Sequence, residues 1–491
     1  MTSIVAGPVL FARGSDSTRC RLAALVVRSA SSHTRSSPGG SGLRPMGGEP
    51  VEPIELARLA EHVFLRYDFE LPANAPAFYE FDGVPHAVET DTAGALRIAF
   101  ASCNGMENGD AERVAHERNL MWRRLLAEHE GAPFALLLHG GDQLYADEAS
   151  TAHPTLVAWA ASALHERDHF AFDDEVERAA LRFFVDRYLG LYTDPDVAAL
   201  MARVPSAMIW DDHDIFDGWG SHPSAMLDSP VGQGLFGVAQ RAFLLFQRAL
   251  SPEVAMPGDS LSWSLSFPDL HVIAPDLRSE RRMERVLGPA GWTLLADHLE
   301  RARGTRRILL LSSVPLLGPR LSLFERLIGT LPVLRHYADD LRDQWQSRAH
   351  RDEWRRMLER LDAASLAGSE VTVLSGEIHL ASRGEMPIGD ARTLHQLIAS
   401  GIAHPPPSSG WARALGWLAT FGENPLPEQP IRLRPLPGQR GIYTAERNYL
   451  VLERDAGAWS ATWECEESGR SGALALGGEP GDGAEDRCRA D

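Results

Sequence analysis

Short apolar runs that stop abruptly on charged or sulfur-bearing residues constrain this chain more than any other feature. LRIAFA (96–101) stops at Ser102-Cys103-Asn104. PFALLL (133–138) stops at His139-Gly140-Gly141-Asp142-Gln143, with Tyr145 and Asp147 close behind. SAMIW (206–210) runs into Asp211-Asp212-His213-Asp214 and then Asp217. HVIA (271–274) leads to Asp276 and Arg278, and VTVLSG (371–376) leads to Glu377 and His379. LSWSLSF (261–267), RRILLLSS (306–313) and TLHQLIAS (393–400) are further strand candidates. Amphipathic patterns fill the gaps at 113–130, Glu175 to Ala202, Gln233 to Leu250, Ala290 to Arg303 and near His336 to Leu361. Such alternation means βαβ units and a largely parallel sheet, in which ligands sit outside the carboxyl ends of the strands.

Around this α/β core the texture differs. In residues 4–94, IVAGPVLFAR and CRLAALVVRS flank a GSDST turn as in a hairpin, and EHVFLRYDFELP and AFYEFDG alternate as half-buried strands do. We expect residues 1–94 to form a smaller all-β, sandwich-like module with no chemistry of its own. The Ser/Gly/Pro-rich stretch 29–48 reads as a long loop within it. The catalytic-type domain then spans 95–463 and closes on a hairpin, NYLVLERD and AWSATWECE. From Glu464 onward 3 Arg stand against 8 acids among many Gly, so 464–491 reads as an acidic, disordered tail.

Composition removes several functions. All 48 basic residues are Arg, and a chain without Lys has no Schiff-base lysine and no Walker P-loop. A net charge of −19 speaks against binding a nucleic-acid backbone. No run reaches the roughly 18–20 apolar residues of a membrane span. Four cysteines over 491 residues make no disulfide framework, and the N-terminus has no basic or twin-Arg leader, so a cytoplasmic location is expected. Translation from Met1 or from Met46 is compatible with the sequence. Oligomeric state leaves no mark in it.

Four carboxylates and a His lie inside residues 211–217, straight after an apolar strand. Like charges so placed repel unless a cation sits among them. Carboxylates and imidazoles with one thiolate suit a transition metal, with a hard cation such as calcium beside it. Each residue alone has a plainer reading: Asp142 as a helix cap, the DDHD run as an acidic loop, Cys103 as a buried structural cysteine. Their joint placement at strand ends favours a metal.

FASCNG (100–105), HGGDQLYADE (139–148), PSAMIWDDHDIFDGWGS (205–221), APDLRSER (274–281), LLLSSVPLLG (309–318) and LSGEIHL (374–380) together resemble the alkaline phosphatase D (PhoD-like) family of calcineurin-like metallophosphoesterases. The resemblance implies a β-sheet sandwich flanked by helices around a di- or multinuclear metal centre, with iron plus a divalent cation, calcium first. It implies hydrolysis of a small phosphate ester, as a phosphomonoesterase or phosphodiesterase, by metal-activated hydroxide. Cys103 then looks like an iron ligand and Asp142 like the bridging carboxylate. Asp212, Glu377 and His379 fill the remaining ligand positions, and His213 that of the catalytic His. A tyrosine ligand upstream of the DDH block falls on Tyr188 or Tyr192. Two departures stand out: Glu377 where relatives place Asp, and Ser312-Ser313-Val314 where the wider superfamily has a metal-binding His. Arg278 is the candidate for a bidentate phosphate contact, with a surface salt bridge as its plain reading. The run ADDLRDQWQSRAHRDEW reads as a partly exposed helix, first as a plain surface helix and second as a cover over the site. A non-catalytic metal-binding or scaffold protein on the same fold is the alternative.

Overall fold

The computed structural model describes residues 4–30, 42–59, 61–73, 75–256, 258–319, 343–420 and 422–477. The strands are, in chain order, β1 (Ile4–Ser15), β2 (Arg19–Ser29), β3 (Leu43–Pro45), β4 (Ile54–Leu59), β5 (His62–Pro72), β6 (Ala77–Phe81) and β7 (Val84–Val88). The central set is β8 (Leu96–Ala101), β9 (Leu136–Gly140), β10 (Ser206–Ile209), β11 (Trp263–Phe267), β12 (Leu270–Ala274), β13 (Arg307–Leu311) and β14 (Glu370–Ser375). After these come β15 (Ser382–Ile388), β16 (Arg392–Ile398), β17 (Glu423–Leu426), β18 (Gln429–Arg434), β19 (Asn448–Asp455), β20 (Ala458–Cys465), β21 (Gly469–Arg470) and β22 (Leu474–Leu476).

Two large sheets face each other. One runs β21-β20-β19-β8-β9-β10-β1-β2-β5-β4, with β22 added on β20; the other runs β11-β12-β13-β14-β16-β15-β18-β17. Both centres are parallel: β8, β9, β10 and β1 in the first, β12, β13, β14 and β16 in the second. Alternation decides the layers. Ile98 and Phe100 of β8 point between the sheets, where they meet Val272, Leu309 and Leu374, while Ala99 and Ala101 face the helical layer. Helices Asp174–Tyr192 and Pro230–Phe246 cover the first sheet, and Pro289–Arg301 and Arg351–Leu366 cover the second. Continuous apolar strands of this kind are what burial on both faces demands. The architecture is the expected α/β sandwich flanked by helices.

Three expectations need correction. Residues 4–94 do not stand apart as a module. β1 pairs in parallel with β10 (Phe11 opposite Ser206), so β1, β2, β5 and β4 extend the core sheet and the boundary at 94 divides a continuous sheet. Only the second layer is local, where β3, β6 and β7 pack on β2 and β5 through Leu22, Val26, Tyr67 and Tyr79. The tail begins later than Glu464. Glu464 and Cys465 complete β20, and Leu476 pairs with Trp459 and is buried, so apolar residues among the glycines hold 464–477 to the sheet. Residues 478–491, with Cys488, lie outside the described residues. The helix expected near His336 to Leu361 is interrupted in its described part: residues 344–350 form a bend and turns, and the helix runs from Arg351 to Leu366. Asp343, Gln344 and Gln346 are buried ahead of it, where they line the cavity described below. The first part of that run, and part of the 29–48 stretch, lie outside the described residues. Among the described residues, no helix is long and apolar enough to cross a membrane.

Candidate metal centre

The parallel strands deliver their last residues to one edge of the sandwich, and the backbone there is unusual. Cys103 after β8, Asp142 after β9, and Glu377 and His379 after β14 all adopt left-handed conformations, with φ of 54°, 54°, 69° and 52°. Non-glycine residues seldom do so, and such strain persists where surroundings impose it, as functional sites do. Gly141 shows why the HGGD sequence is needed. Its φ is +102°, and a Cβ there would meet the Asp211 Cβ at 2.8 Å, so only glycine lets Asp142 and Asp211 approach.

Three ligand-type atoms converge where β8, β9 and β14 end. Those of Cys103, Asp142 and His379 lie within 4.8 Å of one another. The Cys103 thiol is 3.5 Å from Asp142 Oδ2, and Asp142 Oδ1 is buried with no hydrogen-bond partner. Burial first, and then Asp142, push the Cys103 thiol well above its usual range. Burial and the neighbouring acids Asp211 and Asp212 push Asp142 up as well, against the pull of His213. His379 is pushed down by burial and by His404, which leaves a neutral imidazole. Burial thus penalises a thiolate and a carboxylate side by side, and a bound cation is what would hold them ionised. The donor set fits a metal.

The tyrosine at this cluster is Tyr145. Its hydroxyl lies 3.0 Å from His379 Nε2. Tyr188 and Tyr192 instead sit in the helical layer, where Tyr188 accepts from Gln247 Nε2 and Tyr192 donates to the Phe246 carbonyl. Tyr145 stood in plain sight three residues after Asp142, and that GDQLY spacing was the available signal.

Asp142, Asp211 and Asp212 form a second close group, of oxygen donors alone. Arg278 governs it. Its fully buried guanidinium is bonded to Asp211, to Asp212 at 3.2 Å and to Asp343 at 2.8 Å, and donates to the Trp219 carbonyl. Arg278 is therefore neither a free phosphate clamp nor a surface salt bridge, because its donors are spent beneath the site. Burial opposes its charge, yet the three carboxylates hold its pKa well above the usual value. Ser313 stands near the missing superfamily His and donates to Asp211 at 2.8 Å. Glu377 lines the same cavity but falls outside the close groups. Both its oxygens accept from Gln344 Nε2, at 2.9 and 3.0 Å, and burial followed by Asp343 pushes its carboxyl up.

His213 is held from behind. Its Nδ1 lies 3.0 Å from Asp147, which can only accept, so Nδ1 carries hydrogen and Nε2 remains for chemistry. Tyr145 stacks on the ring at 4.4 Å. Burial works against a charged imidazole here, but Asp147 and Asp212 outweigh it and raise the pKa well above 6.5. On the other side His404 stacks on His379 at 3.4 Å and pairs with Glu107 at 3.1 Å. Sequence reasoning missed the roles of Asp147, Asp211 and Asp343, and missed Glu107 and His404 altogether. One cavity of about 800 Å³ opens on the site, and Asp142, Asp212, His213, Gln344, Glu377 and His379 are among the residues that line it, with Glu107 and Asp343.

Residues 97–337 match the family PhoD_2, PhoD related phosphatase. Across that span the chain is similar to PhoD related phosphatases. The structure of PhoD itself matches with a TM-score of 0.54 at 12% identity, over 96% of this chain and 92% of that one. A purple acid phosphatase from yellow lupin seeds, PPD1, matches with a TM-score of 0.51 at 10% identity, over 95% of this chain and 73% of that one. Both likenesses are of fold, and both extend across the N-terminal strands. Uncharacterized protein YGR266W of Saccharomyces cerevisiae is 25% identical over 72% of this chain. The chain spans 64% of that relative's length.

Proposed function

We propose that the protein hydrolyses phosphate esters, as a phosphomonoesterase or phosphodiesterase, in a metal-dependent reaction. The convergence of Cys103, Asp142 and His379, with Asp142 Oδ1 buried and unpartnered, carries this reading. Iron would be held by Cys103, Asp142 and His379, with Tyr145 beside them, since a thiolate and an imidazole select a transition metal. A hard cation, calcium first, would be held by the oxygen-only group of Asp142 and Asp212, with Asp211 nearer to it than Glu377. Bound there, the metals supply positive charge for phosphoryl oxygens and activate water near neutral pH.

The chain's own residues supply the rest. His213 carries a proton at neutral pH and offers it from Nε2 to the leaving oxygen. Asp147 fixes the ring through Nδ1, and Tyr145 fixes its plane. Arg278 holds Asp211 and Asp212 in place under the cavity. Support for the phosphatase reading also comes from the family match over residues 97–337.

The experiment is elemental analysis joined to turnover of simple phosphomonoesters and phosphodiesters before and after chelation. Stoichiometric metal, with turnover that chelation abolishes and metal restores, is expected. Metal without turnover of any ester would favour a metal-binding scaffold instead. That reading draws on the engagement of Glu377 by Gln344 and on Ser313 where a metal-binding His was looked for. Turnover in metal-free protein would exclude both.

A further inference from the structure

The 800 Å³ cavity is far larger than a phosphate group needs, and it lies within the size range of small-molecule sites. Its lining is of two kinds. One part is polar and includes Asp142, Asp212, His213, Glu377 and His379. The other is an apolar wall built from Met283, Leu317, Pro407, Trp411, Leu415 and Tyr443. These come from separate stretches of chain: after β12, after β13, from helix Ser409–Ala419 and just before it, and between β18 and β19. Among the described residues, the lining holds six carboxylates (Glu107, Asp142, Asp212, Asp217, Asp343 and Glu377) and no Arg. Arg278 and Arg281 lie just beneath, fully buried, and both are engaged by Asp343.

Charge and surface therefore point the same way. Beyond the phosphoryl group bound at the metals and beside His213, a second anionic group would meet carboxylates and no described Arg. A hydrocarbon group would instead leave water for the apolar wall. We propose that this site takes phosphate esters whose organic group is apolar and uncharged, seated against Trp411, Leu415 and Tyr443. Nucleotides, sugar bisphosphates and polyphosphates are disfavoured by the same wall. The proposal rests on the phosphatase reading for its phosphate end.

The test uses the metal-loaded full chain with two matched series. Ethylphosphonate, octylphosphonate and octane-1,8-diphosphonate are compared by calorimetry, and ethyl and octyl phosphate by kcat/KM. The leaving alcohols are alike, so chain length reports the wall and not the chemistry. A fully buried methylene strengthens binding about fourfold, so a chain half-buried over its six extra methylenes should bind at least about thirtyfold tighter than ethyl. The diphosphonate should forfeit at least about tenfold of that gain. Trp411→Ala and Leu415→Ala should each reduce the octyl advantage several-fold, with ethylphosphonate affinity and metal content unchanged within about twofold. Affinities flat along the series, or a diphosphonate that binds as tightly as octylphosphonate, would overturn the proposal. Chain-length-dependent binding without turnover of any ester would leave the wall standing and remove the phosphatase reading. Turnover with a flat series would do the reverse.

Discussion

Asp142 and Asp343 border the same cavity and are both almost fully buried, yet they are driven in opposite directions. Burial and neighbouring acids push the Asp142 carboxyl well above its usual range. Asp343 suffers the same burial, but Arg278 and Arg281 pull it below its usual value of 3.8. The difference is a guanidinium in direct contact. Around Asp343 the chain provides its own countercharge, with fixed fork geometry. Around Asp142, Cys103 and His379 no described Arg makes contact, and one carboxylate oxygen is left without a partner. The acid clamped by two buried Arg is balanced by the chain itself; the acid beside a buried thiol and a neutral imidazole has the surroundings that the proposed metal would balance.

Asp142→Asn breaks that comparison on its open side. We expect it to lose metal and to cost more turnover than the roughly 10²–10⁴-fold typical of losing a proton donor, as in His213→Ala. Metal binding to the wild-type chain should also tighten as pH rises, because the raised carboxyl must first shed its proton. Full metal content and rate in the Asn variant would show that Asp142 holds nothing. Arg278→Met breaks the closed side. It takes away the guanidinium that Asp211 and Asp212 share and leaves Asp343 to Arg281 alone, and removing one partner of a buried pair costs about 3–5 kcal/mol. The Asp343 share of this stability is present above the unfolded carboxyl value of 3.8 and fades as pH falls through the lower folded value. Urea unfolding of both proteins at neutral and acid pH measures it. A difference below about 1 kcal/mol at neutral pH, the level of an exposed pair, would mean that the clamp is incidental.

The sequence made the open side legible and hid the closed one, for reasons that follow from distance along the chain. Cys103, Asp142 and His379 each follow an apolar run directly, so strand direction alone brings them to one edge. The contacts of Arg278 depend on residues 66 to 67 positions upstream, and on Asp343 in a run whose charges look solvent-exposed. A single guanidinium could therefore be assigned to substrate as readily as to its own carboxylates. His404 and Glu107 are 297 residues apart, and no periodicity joins them. The N-terminal strands were read correctly as a hairpin but given the wrong neighbour. A β1 strand buried on both faces looks the same in sequence whether it lies in its own sandwich or pairs with β10.

Cys103→Ser sharpens the comparison within the open cluster. Replacing the soft sulfur by a hydroxyl should weaken iron more than calcium, by at least the about 10–100-fold that even supporting residues of a metal site are worth. Competition with a chelator, followed by elemental analysis, reads both metals. Equal retention of iron in the Ser variant would make Cys103 a core cysteine. Alkylation would not settle the matter. The metal-free thiol is fully buried and held protonated, so it would resist reagent with or without metal.

The smallest expected effect concerns the charge on the His213 imidazole. His213 is charged at neutral pH because Asp147 and Asp212 overcome the penalty of burial. A raised imidazole pKa means that the proton, and the stability of the Asp147 pair, are fully present below the unfolded value near 6.5. Both are lost as pH rises through the higher folded value. If this proton goes to the leaving oxygen, kcat/KM for esters of poorly leaving alcohols should fall on the alkaline side as His213 deprotonates. Asp147→Asn removes one of the two charges that sustain it, so that alkaline limb should move to lower pH while metal content stays the same. Activity at the acid end of the profile should change little, since the ring is protonated there in both proteins. Esters with good leaving groups need no proton and should show a smaller shift. A limb that stays in place in Asp147→Asn, or one that moves equally for good and poor leaving groups, would separate His213 from proton donation. The alkaline fall would then belong to another group, with His213 serving to hold the carboxylates around it.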